Sequence, residues 1–286
     1  NAYNFPCWGM LEKIAPSLLA GVPCIVKPAS QTAYLTELMV RSMIESAILP
    51  EGALQLVCGS LGDMLSHVDG QDVVTFTGSA STGRMLRASK AIVDNSVRFT
   101  MEADSLNSSV LGPDAAPGTE EFDLFVREVV REMTVKAGQK CTAIRRALAP
   151  RAFAQPLAEA IAKKLAQTTV GHPGTEGVRM GPLASLSQRD EVRERVAQLA
   201  QDGEIVTGDP AKATVASGDA EKGAFLNPVL LYCDKPLAAK HVHDVEAFGP
   251  VSTVLPYDSI EEAVEIARRG KGSLVASVFT NDPDAA

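Results

Sequence analysis

The first hundred residues alternate short apolar runs with helical patterns, and this alternation restricts the fold more than any other feature. Residues 22–26 read as a buried strand, closed by Lys27-Pro28-Ala29-Ser30. Leu35, Leu38, Met39, Val40 and Met43 then recur at helical spacing. After the turn Pro50-Glu51-Gly52 come a strand over 54–57, a short helix over 63–68 and a strand over 73–76 that runs into Gly78-Ser79-Ala80-Ser81-Thr82-Gly83 and a further helix. Strand and helix alternating at this pace predict an α/β fold, with a parallel sheet covered on both faces.

After a strand over 96–101 the character changes, so a domain boundary is expected near Ala103, dividing the chain into 1–103 and 104–286. Phe125, Val129 and Met133 mark a helix leading to Gly138-Gln139-Lys140-Cys141. Phe153, Leu157, Ile161 and Leu165 form a second apolar stripe, and Val192, Val196 and Leu199 a third. Strands are expected near 225–232, 251–255 and 274–279. Ser259 stands in capping-box position to Glu262. Asn1 is no initiator Met, and Asp284-Ala285-Ala286 reads like the start of another helix, so the chain is expected to be a fragment lacking N- and C-terminal parts.

A net charge of −8 without a basic run argues against nucleic acid and anionic membranes as partners. No apolar stretch is long enough to span a bilayer. Five scattered cysteines without a CxxC pair suit reduced thiols in a cytoplasm. Cys7, Cys24, Cys58 and Cys233 are read as buried small hydrophobes. His172, His241 and His243 lack an obvious third ligand, so they are read as surface histidines and no metal is expected.

Cys141 differs because its glycine-turned setting suits a nucleophile. A thiolate adding to an aldehyde makes a thiohemiacetal, which can lose a hydride and leave a thioester. Glu102, at a strand end among small and apolar neighbours, is the candidate base for activating water. Asn4, in Tyr3-Asn4-Phe5-Pro6, can donate to an oxyanion beside the backbone N–H of Cys141. The loop Gly78 to Gly83 lies between strand and helix, where a helix N-terminus and close backbone approach suit a pyrophosphate. Its spacing is neither the dinucleotide fingerprint nor a Walker loop.

Asn4-Phe5-Pro6, Lys27-Pro28-Ala29, Phe76-Thr77-Gly78-Ser79, Glu102, Gly138-Gln139-Lys140-Cys141, Met180-Gly181-Pro182-Leu183 and Glu246-Ala247-Phe248-Gly249-Pro250 stand in the order and approximate spacing of one family. The chain resembles the aldehyde dehydrogenase superfamily over essentially its whole length. Where most members continue the base motif as Glu-Leu-Gly-Gly-Lys, this chain has Glu102-Ala103-Asp104-Ser105-Leu106-Asn107. With Cys7-Trp8-Gly9-Met10-Leu11-Glu12-Lys13 and residues 127–146, that segment is similar to the dehydrogenase part of bifunctional ring-opening proteins of aerobic phenylacetate degradation. These in turn are similar to the semialdehyde dehydrogenase of the CoA-dependent benzoate route.

The resemblance implies a Rossmann-type cofactor domain over 1–103 and an α/β catalytic domain over 104–286. It implies Cys141 as nucleophile, Glu102 as base, Asn4 as oxyanion donor, and cofactor contacts at Tyr3, Lys27, Ser30, Gly78, Ser79, Ala103, Glu246 and Phe248. It implies a CoA-linked semialdehyde as substrate, a homo-oligomer in the full-length protein, and in one branch a hydratase-like domain that follows the dehydrogenase. Glu102 and Cys141 stand 39 positions apart, a few more than usual, and 113–121 is expected to absorb the excess as a surface loop. Many NAD-preferring relatives carry Glu where this chain has Ser30. A neutral donor with Lys27 nearby predicts NADP over NAD. A CoA-acylating dehydrogenase and a catalytically silent relative are the rival readings. The presence of Glu102 disfavours the first, and Cys141, Glu102 and Asn4 together disfavour the second.

Overall fold

A computed structural model describes residues 1–286. The chain divides into two compact units, Asn1–Asp104 and Ser105–Ala286. No helix is long and apolar enough to cross a membrane.

The first unit runs α1 (Trp8–Leu19), β1 (Cys24–Val26), α2 (Ala33–Glu45), β2 (Leu54–Leu56), β3 (Val73–Gly78), α3 (Ala80–Arg87), α4 (Lys90–Asp94) and β4 (Arg98–Ala103). Its strands are parallel but form two separate pairs, β1 with β2 and β3 with β4, instead of the single sheet covered on both faces that the sequence predicts. Met10, Ile14, Val26, Val40 and Leu54 cluster on one side of β1 and β2, whereas Ile25 and Val73 point outward and are exposed. The expected helix over 63–68 is a 3-10 turn, Met64–His67.

The second unit continues with β5 (Ser108–Leu111), α5 (Glu120–Thr134), β6 (Arg146–Pro150), α6 (Arg151–Leu165), α7 (Leu186–Leu199), β7 (Glu204–Thr207), β8 (Val229–Tyr232), α8 (His241–Asp244), β9 (Val251–Tyr257), α9 (Ile260–Arg268) and β10 (Ala276–Phe279). Six strands form one sheet in the order β10-β5-β6-β9-β8-β7, parallel except for β7, which is antiparallel and bulged between Ile205 and Thr207. Side chains alternate between two cores. Ala147, Ala149, Leu230 and Val254 face Phe125, Val129, Leu157 and Ile161 of α5 and α6. Leu148, Leu231 and Leu255 face Val192, Val196 and Ile266 of α7 and α9.

Thr119 caps α5, its Oγ1 accepting from the Phe122 N–H at 3.3 Å. The predicted surface loop is therefore shorter than expected, because Glu120 and Glu121 belong to the first turn of α5. The strand expected from 225 begins at Val229. Ser259 accepts from the Glu262 N–H, while the Glu262 carboxylate reaches back to the Asp258 N–H at 2.9 Å, one residue before the cap.

Candidate active site

In the first unit, β3 and β4 pair in register from Val73 with Arg98 to Gly78 with Ala103. Their C-terminal ends therefore carry Thr77-Gly78-Ser79 beside Glu102-Ala103-Asp104, at the strand edge where α/β folds bind ligands. Ser79 is the N-cap of α3, its Oγ accepting from the Thr82 N–H at 3.4 Å. The Ala80 N–H donates to Asp104 Oδ1 at 2.8 Å, so a carboxylate from the end of β4 already meets this helix terminus. Gly83 has a packing reason of its own. A Cβ there would lie 2.3 Å from the Met101 sulfur, so the glycine lets α3 close on β4. Thr77 Oγ1 is buried without a hydrogen-bond partner.

Two threonines between β1 and β2 hold the loop that contains Asn4. Thr32 donates to the Tyr3 carbonyl at 3.1 Å, and the fully buried Thr36 on α2 donates to the Pro6 carbonyl at 3.2 Å. Lys27 follows β1 and is half-buried. Ser30 opens a 3-10 turn, Ser30–Thr32, and is exposed.

In the second unit, Cys141 lies at the end of an unusual turn. After α5 the backbone passes through Lys136, Ala137 and Gly138 at φ 55°, 52° and 67°. Left-handed φ is open to glycine but costs an L-residue roughly 1 kcal/mol or more. The turn is held by surrounding contacts. Gln139, buried, donates to the Lys136 carbonyl at 2.9 Å and accepts from the Ala184 N–H at 3.0 Å. Lys140 pairs with Glu132 at 2.5 Å. Asn107 Nδ2 donates to the Cys141 carbonyl at 2.8 Å and the Ala143 carbonyl at 3.0 Å. Burial lowers the Lys136 pKa, the charge of Lys140 lowers it further, and Cys141 opposes the shift.

Glu246 and Phe248 lie between α8 and β9. Glu246 Oε2 accepts from the Ser105 N–H at 2.9 Å, and Oε1 accepts from Arg145 Nε at 3.2 Å. The Arg145 guanidinium carbon lies 5.3 Å from the centre of the Phe248 ring. The thiol loop and this loop touch through their backbones, since a Cβ added to Gly138 would come 2.0 Å from the Gly249 carbonyl oxygen. The second unit thus brings together the Cys141 loop, Glu246 and Phe248. Asn4 and Glu102 belong to the first unit.

The profile of the aldehyde dehydrogenase family matches residues 1–286. The chain belongs to this family. The 3,4-dehydroadipyl-CoA semialdehyde dehydrogenase of Aromatoleum evansii is 56% identical over 282 residues, covering 99% of this chain and 55% of that protein. The alpha-ketoglutaric semialdehyde dehydrogenase of Bacillus subtilis is 30% identical, over 99% of this chain and 56% of its own length. Betaine aldehyde dehydrogenase from Staphylococcus aureus, solved in complex with NAD+, superposes with a TM-score of 0.86 at 27% identity. The match covers 100% of this chain and 55% of that one. A mutant of aldehyde dehydrogenase C from Pseudomonas syringae, complexed with NAD+ and octanal, gives 0.82 at 26% identity, over 99% of this chain and 56% of that one. The chain spans about half the length of the curated relatives it matches.

Of the polar residues of this aldehyde dehydrogenase chain that shape the candidate site, Arg145 is not singled out by the sequence, and Asn107, Ser105 and Gln139 stand in its motifs without a role of their own. The signal for Arg145 was two adjacent arginines entering an apolar strand, because buried charge needs dedicated partners. Two readings are corrected. His243 is buried, not surface: its Nε2 meets the Pro236 carbonyl at 2.8 Å and its Nδ1 meets Arg146. Cys58 is exposed, while Cys7 and Cys24 are half-buried. Cys233 is fully buried, and desolvation pushes its thiol up to about 11. No group of three His, Cys, Asp or Glu is placed to hold a metal ion.

Proposed function

We propose that the protein carrying this chain oxidises a CoA-linked semialdehyde to the carboxylic acid, with Cys141 as nucleophile. The observation that carries the reading is the backbone contact of Gly138, in the thiol loop, with Gly249, beside Glu246 and Phe248. In this reading the Cys141 thiolate adds to the aldehyde carbon. The new oxyanion accepts hydrogen bonds from the Asn4 amide and the Cys141 backbone N–H. The C–H bond then breaks with loss of hydride, leaving a thioester on Cys141. A bound nicotinamide dinucleotide supplies the two-electron acceptor. Glu102 takes a proton from water, the resulting hydroxide attacks the thioester, and acid and thiol separate.

The residues present fit such a cofactor. Gly78, Ser79 and Ala103 lie at the C-terminal edge of parallel strands, beside the unpartnered Thr77 hydroxyl and a helix N-terminus of which the Ala80 N–H is held by Asp104. Lys27, Ser30 and Tyr3 would hold its adenosine side, and Glu246 and Phe248 its nicotinamide riboside. Ser30, exposed and neutral three residues after Lys27, favours NADP over NAD, because nothing there repels a 2′-phosphate. The family resemblance supports a homo-oligomer for the full-length protein, and the scattered cysteines without a CxxC pair support a cytoplasmic one.

The name of the 56% identical relative describes an unsaturated six-carbon acyl chain, which makes that length the first substrate to test. The second reading is the longer, phenylacetate-derived chain, favoured by the segment Glu102-Ala103-Asp104-Ser105-Leu106-Asn107. The test is reduced-cofactor formation by the intact protein against both CoA-linked semialdehydes, their free analogues and added CoA. Acid formed one-to-one with reduced cofactor without free CoA, and no turnover in Cys141→Ser, is the expected result. Dependence on free CoA would make the protein an acylating dehydrogenase. Inactivity toward every CoA-linked semialdehyde would remove the substrate class.

A further inference from the structure

Arg145, four residues after the thiol, joins the two loops of the candidate site through one side chain. Its Nε donates to Glu246 Oε1 at 3.2 Å and its Nη1 to the Gly249 carbonyl at 2.8 Å. Its Nη2 donates to the carbonyls of Gly138 at 2.9 Å and Lys140 at 3.2 Å. The pair is withdrawn from water, with 4% of the Arg145 side chain and 6% of the Glu246 side chain exposed. The same guanidinium lies beside the Phe248 ring. Its own backbone is fixed as well. The Arg145 N–H donates to the Asn107 carbonyl at 3.1 Å, and the Asn107 side chain in turn holds the Cys141 carbonyl.

This geometry needs a planar fork. A guanidinium presents five N–H donors in fixed directions, whereas an ammonium is a point charge on a flexible stem. A lysine could reach Glu246 or a loop carbonyl, but it could not hold acceptors from both loops in one plane. Arg146 gives the contrast. It is equally buried and binds carbonyls at Leu106, Ile266 and Ala267, but its hydrogen bonds go to neither loop. Burial alone therefore does not account for where the Arg145 donors point.

We propose that Arg145 is a positioning residue for hydride transfer, setting the Glu246 carboxylate and Phe248 ring at a fixed distance from the Cys141 loop. The proposal rests on the reading of Glu246 and Phe248 as contacts of the nicotinamide riboside. Arg145 touches no reacting atom; it acts through Glu246 and through the carbonyls on either side of Gln139. Hydride transfer is sensitive to donor–acceptor placement, so loosening this clamp should make that step slow.

The test uses the intact protein as wild type, Arg145→Lys, Arg145→Met, Glu246→Gln and the Arg145→Met/Glu246→Gln pair. Melting temperature, kcat, KM for cofactor and for aldehyde, and the isotope effect with aldehyde deuterated at the carbonyl carbon are measured. Arg145→Lys keeps the charge but leaves loop carbonyls unpaired, so it should melt below wild type and above Arg145→Met, and lose about tenfold or more in kcat. Its cofactor KM should rise more than its aldehyde KM, and its isotope effect should exceed that of wild type. The double variant should be no worse than the poorer single one, because both substitutions break one interaction. Wild-type isotope effect and cofactor KM in both Arg145 variants, or additive losses in the double variant, would overturn the proposal. Glu246→Gln indistinguishable from wild type would overturn it differently, by removing the assignment of Glu246 on which it rests.

Discussion

Replacing Gly138 by alanine tests whether the thiol loop is rigid. A methyl group at this position would sit 2.0 Å from the Gly249 oxygen, 2.5 Å from its carbonyl carbon and 2.9 Å from Pro250 Cα. All three are backbone atoms, so no rotamer change relieves the overlap, and the loops must part by about 1.5 Å to reach ordinary contact. Two costs add. Holding alanine at φ +67° costs about 1 kcal/mol, and forcing extra volume into a packed contact costs about 1–3 kcal/mol. A total of about 2–4 kcal/mol should lower the melting temperature by roughly 4–16 °C for a unit of this size. Gly177→Ala separates the terms, since Gly177 has φ +80° with nothing within 4 Å of an added Cβ, and it should show only the conformational cost. Calorimetry on the intact protein measures both variants, and the rate of Cys141 alkylation by iodoacetamide reports the loop itself. Gly138→Ala should change that rate and cut kcat about tenfold, whereas Gly177→Ala should leave both unchanged. If the two alanines melt alike and alkylate like wild type, the loop contact is compliant and the argument for a rigid thiol loop fails.

Ser30→Glu should shift the kcat/KM ratio toward NAD by adding a carboxylate that repels a 2′-phosphate; wild type that already prefers NAD contradicts the reading of Ser30. Arg146→Met should destabilise the protein by about 3 kcal/mol in denaturant melts, because it strands the Leu106, Ile266 and Ala267 carbonyls. Gly270→Ala should act in the same direction, since its Cβ would fall 1.9 Å from Arg146 Nη2. Burial first, then the charges of Arg146 and Arg269, lower the His243 pKa, while the Pro236 carbonyl and Asp202 oppose this. The unfolded chain therefore binds the proton first, near its reference value of about 6.5, and stability should fall as pH drops from there toward the lowered folded value. Melts between about pH 5 and 7.5 should show that slope in wild type and lose part of it in His243→Gln.

What the sequence disclosed follows from how each element earns its burial. The apolar stripes Phe125, Val129, Met133 and Val192, Val196, Leu199 are legible because one helical face carries the core, and the structure places helices at both. α1 is not, since Pro16 stands inside it. Nor are β5 and β6, although β6 is an interior strand of the six-stranded sheet. β5 opens with Ser108 and Ser109, and β6 begins with Arg146. Their polar groups are satisfied only by partners distant in the chain. Ser109 meets Ser277 across the sheet at 3.0 Å, and Arg146 meets carbonyls at Ile266 and Ala267. The candidate site divides in the same way. Residues belonging to contiguous motifs, such as Cys141, Glu246 and Phe248, can be named from the chain. Arg145 becomes visible only when two segments about a hundred positions apart are brought within hydrogen-bonding distance.

The two neighbouring arginines also bear on how this region tolerates change. Consecutive residues entering a strand point to opposite sides, and here one guanidinium serves the thiol loop while its neighbour anchors the last turn of α9. An insertion or deletion of one residue in the short stretch between Cys141 and β6 would exchange their duties, leaving each cation facing the other's acceptors. Length in this stretch is therefore constrained more tightly than side-chain identity at its exposed position, Thr142.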